Sequence, residues 1–157
     1  MRRALPWLGL ALRLGAAGIW LAAGIAKLTE LEHFRTQVAA YDLLPSSLVS
    51  PFAYALPFVE VFLGLYLALG LLTRAAAIAS CVLMLLFVAA LSQAWARGLV
   101  LDCGCFGGIA RERVGGGAVA RDTALGIPGL VLAIFPARFL SLDARLLGLP
   151  DRFRPRA

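Results

Sequence analysis

Apolar residues along this chain come in long runs rather than in alternation with polar ones. Between Trp7 and Leu28 only Arg13 and Lys27 carry charge, and between Pro51 and Leu72 only Glu60 does. A third run, about 75–96, has no charged residue; a fourth, about 120–139, carries Arg121 and Asp122 at its start. Each is about 20 residues long, the length an α-helix needs to cross ~30 Å of hydrocarbon. The pattern predicts four spans, at about 7–28, 51–72, 75–96 and 120–139.

The connecting stretches differ in character. Residues 29–50 are mixed: Phe34, Val38 and Tyr41 or Asp42 recur at helical spacing, with Glu32, His33 and Arg35 among them. This predicts an amphipathic segment at the membrane surface. Pro45 and Pro51 are expected to punctuate the chain before the second span, Thr73-Arg74 to form a tight turn, and Pro128 to kink the fourth helix. A polar, glycine-rich loop occupies about 98–119. Arg2 and Arg3 resemble the start of a signal peptide. However, Arg13 interrupts the first run, which also exceeds the usual apolar core of about 7–15 residues, so it is read as a mature helix. The expected fold class is an all-α membrane protein. It is a four-transmembrane-helix bundle with an amphipathic segment between the first two spans, forming a single integral membrane domain over 1–157.

Composition strengthens this reading. The chain is 61% hydrophobic and 15% charged, with a mean hydropathy of +0.86; soluble domains lie nearer half apolar and a quarter charged. The net charge of +6 would suggest nucleic acid in a soluble protein. Here the arginines sit mainly at the ends of apolar runs and in the tail, so anionic head groups are the expected contact and no nucleic-acid partner is implied. With the N-terminus cytoplasmic, Arg2, Arg3, Arg74 and the basic tail lie inside, outweighing Lys27, Arg35, Arg97, Arg111, Arg113 and Arg121 outside. The expected location is the bacterial inner membrane with both termini cytoplasmic. That places the 98–119 loop on the extracytoplasmic, oxidising side.

Four positions carry candidate chemistry. Cys103-Gly104-Cys105 puts two thiols one residue apart, with a glycine that permits the turn a small, labile disulfide ring needs. Asp102 would raise the thiol pKa; Arg97 and Arg111 would lower it if the loop folds back. A redox dithiol, a metal-binding pair and an inert pair all fit this spacing. His33, the only histidine, lies on the same side, and with Cys103 and Cys105 it would complete a soft-metal site; alone it is an ordinary surface histidine. Glu60 is costly inside a membrane unless paired or protonated, and Lys27 and Arg13 on the first span are its candidate partners. It is either a proton carrier beside the dithiol or a polar contact between helices. Arg13 is expected to be structural or to snorkel inward. Cys81 lies ~33 Å of helix from Cys103, too far to pair, and reads as a small buried residue. Trp7, Trp20 and Trp95 read as interface or packing residues.

The order of these pieces is itself informative. Ala23-Gly24-Ile25-Ala26-Lys27 closes the first run, and Leu43-Leu44-Pro45 follows the amphipathic segment. Pro57-Phe58-Val59-Glu60 and Gly64 mark the second run. Asp102-Cys103-Gly104-Cys105-Phe106-Gly107 follows the third, and Arg121-Asp122 opens the fourth. Over about residues 10–140 the chain resembles the DoxX-like, MauE family of redox-associated membrane proteins. The family's fourth helix more often opens with Arg-Asn, so Asp122 is a departure. The resemblance implies a four-helix membrane protein of extracytoplasmic thiol–disulfide chemistry with a thioredoxin-like protein as partner; the residues read above as its site are Cys103, Cys105, Glu60 and Lys27. Neither the residues nor the resemblance fixes a cofactor; analogy with quinone-coupled four-helix redox proteins adds a membrane quinone as a candidate electron carrier. Two alternatives stand beside this: a soft-metal binding or transport accessory, and a non-catalytic assembly partner of a maturation complex.

Overall fold

The computed structural model describes residues 5–102, 113–135 and 141–143. They form five helices: α1 (Leu5–Thr29), α2 (Leu31–Ala40), α3 (Ser46–Leu69), α4 (Thr73–Ala96) and α5 (Gly116–Ile134). All but the short α2 are long and apolar enough to cross a membrane. The protein is an all-α, multi-pass membrane protein, with α2 as the amphipathic segment between the first two spans.

Local chemistry moves some boundaries from where the hydrophobic pattern puts them. α3 begins at Ser46, directly after Pro45, and Pro51 and Pro57 lie inside it. Only Pro45, whose ψ of 144° is extended, breaks the chain. Pro51 and Pro57 both lie past the first four helical positions, and membrane helices accept such internal prolines. The reversal between α3 and α4 falls on residues 70–72 rather than on Thr73-Arg74. Gly70 adopts φ 67°, and Gly70 N–H and Leu71 N–H donate to the carbonyls of Leu67 and Tyr66. This left-handed glycine cap ends α3, so Thr73 is already helical. α5 starts at Gly116, ahead of the apolar run, which is expected to begin near 120.

The bundle is two helix pairs, α1 on α3 and α4 on α5, joined more loosely where α1 meets α5 and α3 meets α4. Glycines set the first pair's spacing. A Cβ on Gly24 would lie 2.8 Å from Val61 Cγ2 and 2.9 Å from the Pro57 carbonyl oxygen, and one on Gly64 would lie 2.7 Å from Leu21 Cγ. Such close backbone approach maximises dispersion contact where lipid tails provide no hydrophobic drive between helices. α2 lies against the first half of α3, with Phe34 packed on Ala53 and Leu56. Trp20, Leu63, Leu67, Ala77 and Leu132 form the main apolar core.

Large apolar side chains such as Phe58, Phe62, Leu85, Leu86, Ile127 and Leu130 point outward. Arg13, Lys27, Glu60, Thr73, Ser80, Asp122, Ser141 and Asp143 are buried. Hydrocarbon offers no hydrogen bonds, so polar groups gather inside. Asp143 illustrates this. Its carboxylate accepts from Leu72 N–H (2.7 Å), Thr73 N–H (2.7 Å) and Thr73 Oγ1 (2.8 Å), capping α4 from a distant part of the chain. Arg13 takes the structural of its two expected roles. It is 1% exposed, and its Nη1 comes within 2.7 Å of where a Gly70 side chain would begin.

Candidate functional site

The α1–α3 contact that brings Gly24 against Pro57 and Val61 also decides the fate of the two intramembrane charges. Lys27 lies one turn beyond Gly24, and Glu60 one turn before Gly64, so both point into the same narrow interface. Lys27 Nζ donates to Glu60 Oε1 at 2.6 Å and Oε2 at 2.9 Å, and the two side chains are 1% and 0% exposed. At 1.5 Å rise per residue, Glu60 is about 21 Å along α3 from Ser46 and about 14 Å from Leu69, while Lys27 is about 3 Å from the end of α1 at Thr29. Arg13 is about 21 Å further along α1, so Lys27 is the partner. The ammonium is also flanked by two aromatic rings, with centroids 5.4 Å away for Phe34 and 5.2 Å for Phe87. Their π faces add electrostatic stabilisation to a desolvated cation.

Lys27 forms part of the wall of a cavity of about 300 Å³ between α2, α3 and α4. The rest of the lining is apolar or aromatic, including Phe34, Val38, Tyr41, Phe52, Leu86 and Phe87. Leu91 belongs to this wall and to a cluster with Ala118, against which Tyr41 and Val114 pack. Val114 is at the root of the cysteine loop. Its N–H donates to the Leu101 carbonyl at 2.8 Å, and Asp102 and Arg113 form an isolated antiparallel bridge. Arg97 ties the same end together, with Nη1 donating to the Tyr41 carbonyl at 3.0 Å and Nη2 3.7 Å from Asp42 Oδ2. The loop is thus rooted at the end of the bundle where Tyr41 lines the cavity. Cys103, Cys105 and Arg111 lie outside the described residues.

The sequence profile of the family described as methylamine utilisation protein MauE matches residues 5–135. The chain belongs to the MauE family. It is 33% identical over 148 residues to the methylamine utilization protein MauE of Methylophilus methylotrophus, covering 92% of this chain and 78% of the relative. It is 34% identical over 124 residues to that of Paracoccus denitrificans, covering 78% and 67%. With the protein of the same name from Methylorubrum extorquens it is 34% identical over 113 residues, covering 71% and 61%. No solved structure matches the chain significantly.

The MauE match runs from the start of α1 to Phe135, taking in both charges, the cavity and the cysteine loop. His33 stands apart from the buried pair: it is exposed on α2, and its ring shares a 3.1 Å hydrogen bond with Gln37. Among the described residues no group of His, Cys, Asp and Glu side chains is placed to hold a metal ion; the cysteines of the metal alternative lie outside them. Cys81 is half-buried on α4, its Sγ 3.6 Å from where a Gly129 side chain would begin. Of the tryptophans, Trp20 is buried, while Trp7 and Trp95 are exposed. On the α2 surface, Tyr54 Oη donates to Glu32 Oε1 at 2.5 Å. That bond, then the Arg35 pair, holds the Glu32 carboxyl below the usual carboxylate range.

Several polar partners were not picked out from sequence. Trp20 Nε1 donates to Ser80 Oγ at 2.6 Å within the core. Asp122 is 2% exposed and receives Arg121 Nε at 2.9 Å and Nη2 at 2.8 Å. An acid at the start of an apolar run was a usable signal for Asp122. Phe87, an aromatic among apolar neighbours, carried none.

Proposed function

We propose that the protein is a membrane-embedded thiol–disulfide redox protein of methylamine utilisation, supporting extracytoplasmic disulfide chemistry during maturation of a partner. In this reading it sits in the bacterial inner membrane with both termini cytoplasmic. Cys103 and Cys105 exchange with an extracytoplasmic thioredoxin-like protein through a mixed disulfide. A partner thiolate attacks one sulfur of the Cys103–Cys105 disulfide and releases the other as a thiolate; the partner's second thiol then resolves the adduct, so the partner leaves oxidised and Cys103 and Cys105 are left as the dithiol. Lys27 and Glu60 hold the protons that thiol oxidation and reduction release and take up.

The observation that supports this reading is the common location of three features. The roots of the cysteine loop, the end of α2 and the cavity carrying Lys27 share one end of the bundle, packed through Leu91, Tyr41 and Val114. The relatives' name adds the process, methylamine utilisation. A buried ion pair serving packing alone has no need of a cavity at its side. An intramembrane ionisable pair is a functional candidate by default.

Trapping tests it. Cys103→Ser and Cys105→Ser are expressed singly in cells growing on methylamine, with free thiols blocked at lysis. One of the two should accumulate a reductant-sensitive covalent complex with a thioredoxin-like protein, and the other should accumulate none. If neither traps a complex, and the double serine variant grows on methylamine like the parent, the relay reading fails.

A further inference from the structure

We infer that the cavity between α2, α3 and α4 binds the ring of a membrane quinone, with Lys27 donating a hydrogen bond to a ring carbonyl. Its place in a redox relay rests on the function proposed above; the binding itself does not.

The argument begins with Lys27. An ammonium carries three N–H donors. Both hydrogen bonds it makes among the described residues go to Glu60, and Lys27 is part of the cavity wall. With the Lys27 side chain only 1% exposed, bulk water does not reach the remaining donor, and the Phe34 and Phe87 rings compensate it only through their π faces. A ligand in the cavity with one strong acceptor oxygen would complete its hydrogen bonding.

The walls define the rest of the ligand. The cavity's volume of about 300 Å³ lies at the lower end of the range for small-molecule sites, about 300–1,000 Å³, which suits one substituted ring. Phe34, Phe52, Phe87 and Tyr41 offer aromatic surface to stack or edge against it. Phe52 and Leu86 are 43% and 61% exposed on the outer face of the bundle, so the cavity borders the lipid phase. An acyl chain would fill the apolar volume but leave the ammonium's third donor unmet. A quinone supplies the ring, the acceptor and the lipid solubility together.

The redox balance closes with this ligand. Oxidation of the Cys103–Cys105 dithiol forms one S–S bond and releases two electrons and two protons. The quinone takes up both electrons and both protons as a quinol. Lys27 would donate toward the carbonyl oxygen that gains a proton, and Glu60, the carboxylate hydrogen-bonded to Lys27, would accept a proton released by the dithiol and pass it on to Lys27.

The test uses the full chain in phospholipid nanodiscs, in a Trp7→Phe/Trp95→Phe background that leaves Trp20 as the single tryptophan. Trp20 lies 6.1 Å from Phe87, centroid to centroid, so it reports on the cavity. Decylubiquinone should quench it saturably. Ala90→Phe, which fills the cavity, should weaken binding by tenfold or more. Lys27→Met/Glu60→Gln, which removes the donor without leaving a lone charge, should weaken it about tenfold, the scale of one charge-assisted hydrogen bond. Decanol should displace the quinone poorly, whereas menadione, a ring without a long tail, should displace it well. Non-saturable quenching of the parent, an unchanged affinity in Ala90→Phe, or displacement by decanol as effective as by menadione would overturn the inference. The Cys103→Ser/Cys105→Ser variant separates the two proposals: it should bind quinone with the parent's affinity, whether or not the cysteines trap a partner.

Discussion

Lys27→Met isolates what the buried pair contributes. It removes the ammonium and leaves Glu60, 0% exposed, without its counter-charge in the α1–α3 interface. Breaking a buried pair by deleting one partner typically costs about 3–5 kcal/mol. The stranded carboxylate can escape part of that by binding a proton. For a carboxyl with a reference pKa of about 4.3, this costs about 3.7 kcal/mol at pH 7 and about 1 kcal/mol at pH 5. The sign follows from proton counting. In the variant the native state binds the extra proton and the unfolded state does not, so its stability falls as pH rises above the unfolded carboxyl's pKa. Reversible unfolding in mixed micelles, followed by far-UV circular dichroism, should therefore show a large destabilisation at pH 7. About 2–3 kcal/mol of it should be recovered at pH 5. Lys27→Met/Glu60→Gln should be more stable than Lys27→Met at pH 7, giving a favourable coupling for the pair in a double-mutant cycle. A loss below about 1 kcal/mol at pH 7, or one that does not change with pH, would refute the reasoning.

Further outcomes follow from other parts of the structure. Asp143→Ala deletes the acceptor for two backbone N–H groups and the Thr73 hydroxyl; it should cost about 2 kcal/mol in the same unfolding assay, and Asp143→Asn less. Gly24→Ala places a Cβ 2.9 Å from the Pro57 carbonyl oxygen, backbone that cannot rotate away; it should cost about 1–3 kcal/mol and lower the thermal midpoint. A membrane-impermeant maleimide on intact, reduced cells should label Cys103 and Cys105 but not Cys81; labelling only after lysis would reverse the proposed orientation.

Four apolar runs of spanning length determined by themselves that this is a multi-pass helical membrane protein, because only helices of that length satisfy their own backbone across hydrocarbon. The cost of a charge in lipid likewise marked Lys27, Glu60 and Arg13 as residues needing partners. Hydropathy is a one-dimensional sum, however, and is blind to the details that place helix ends. The left-handed conformation of Gly70 ended α3 before the apolar run did. Pro51 and Pro57 stayed inside α3, as membrane helices allow when neighbouring groups satisfy the freed carbonyls. Which cation met Glu60 was settled by tertiary packing: the lack of side chains on Gly24 and Gly64 let α1 and α3 approach in one register, and that register aligned Lys27 rather than Arg13. The cavity, its aromatic flanks and the Asp143 cap join residues from well-separated segments. Their distances exist only once α2, α4 and the 141–143 segment have packed, since the contacts that define them are not local in sequence.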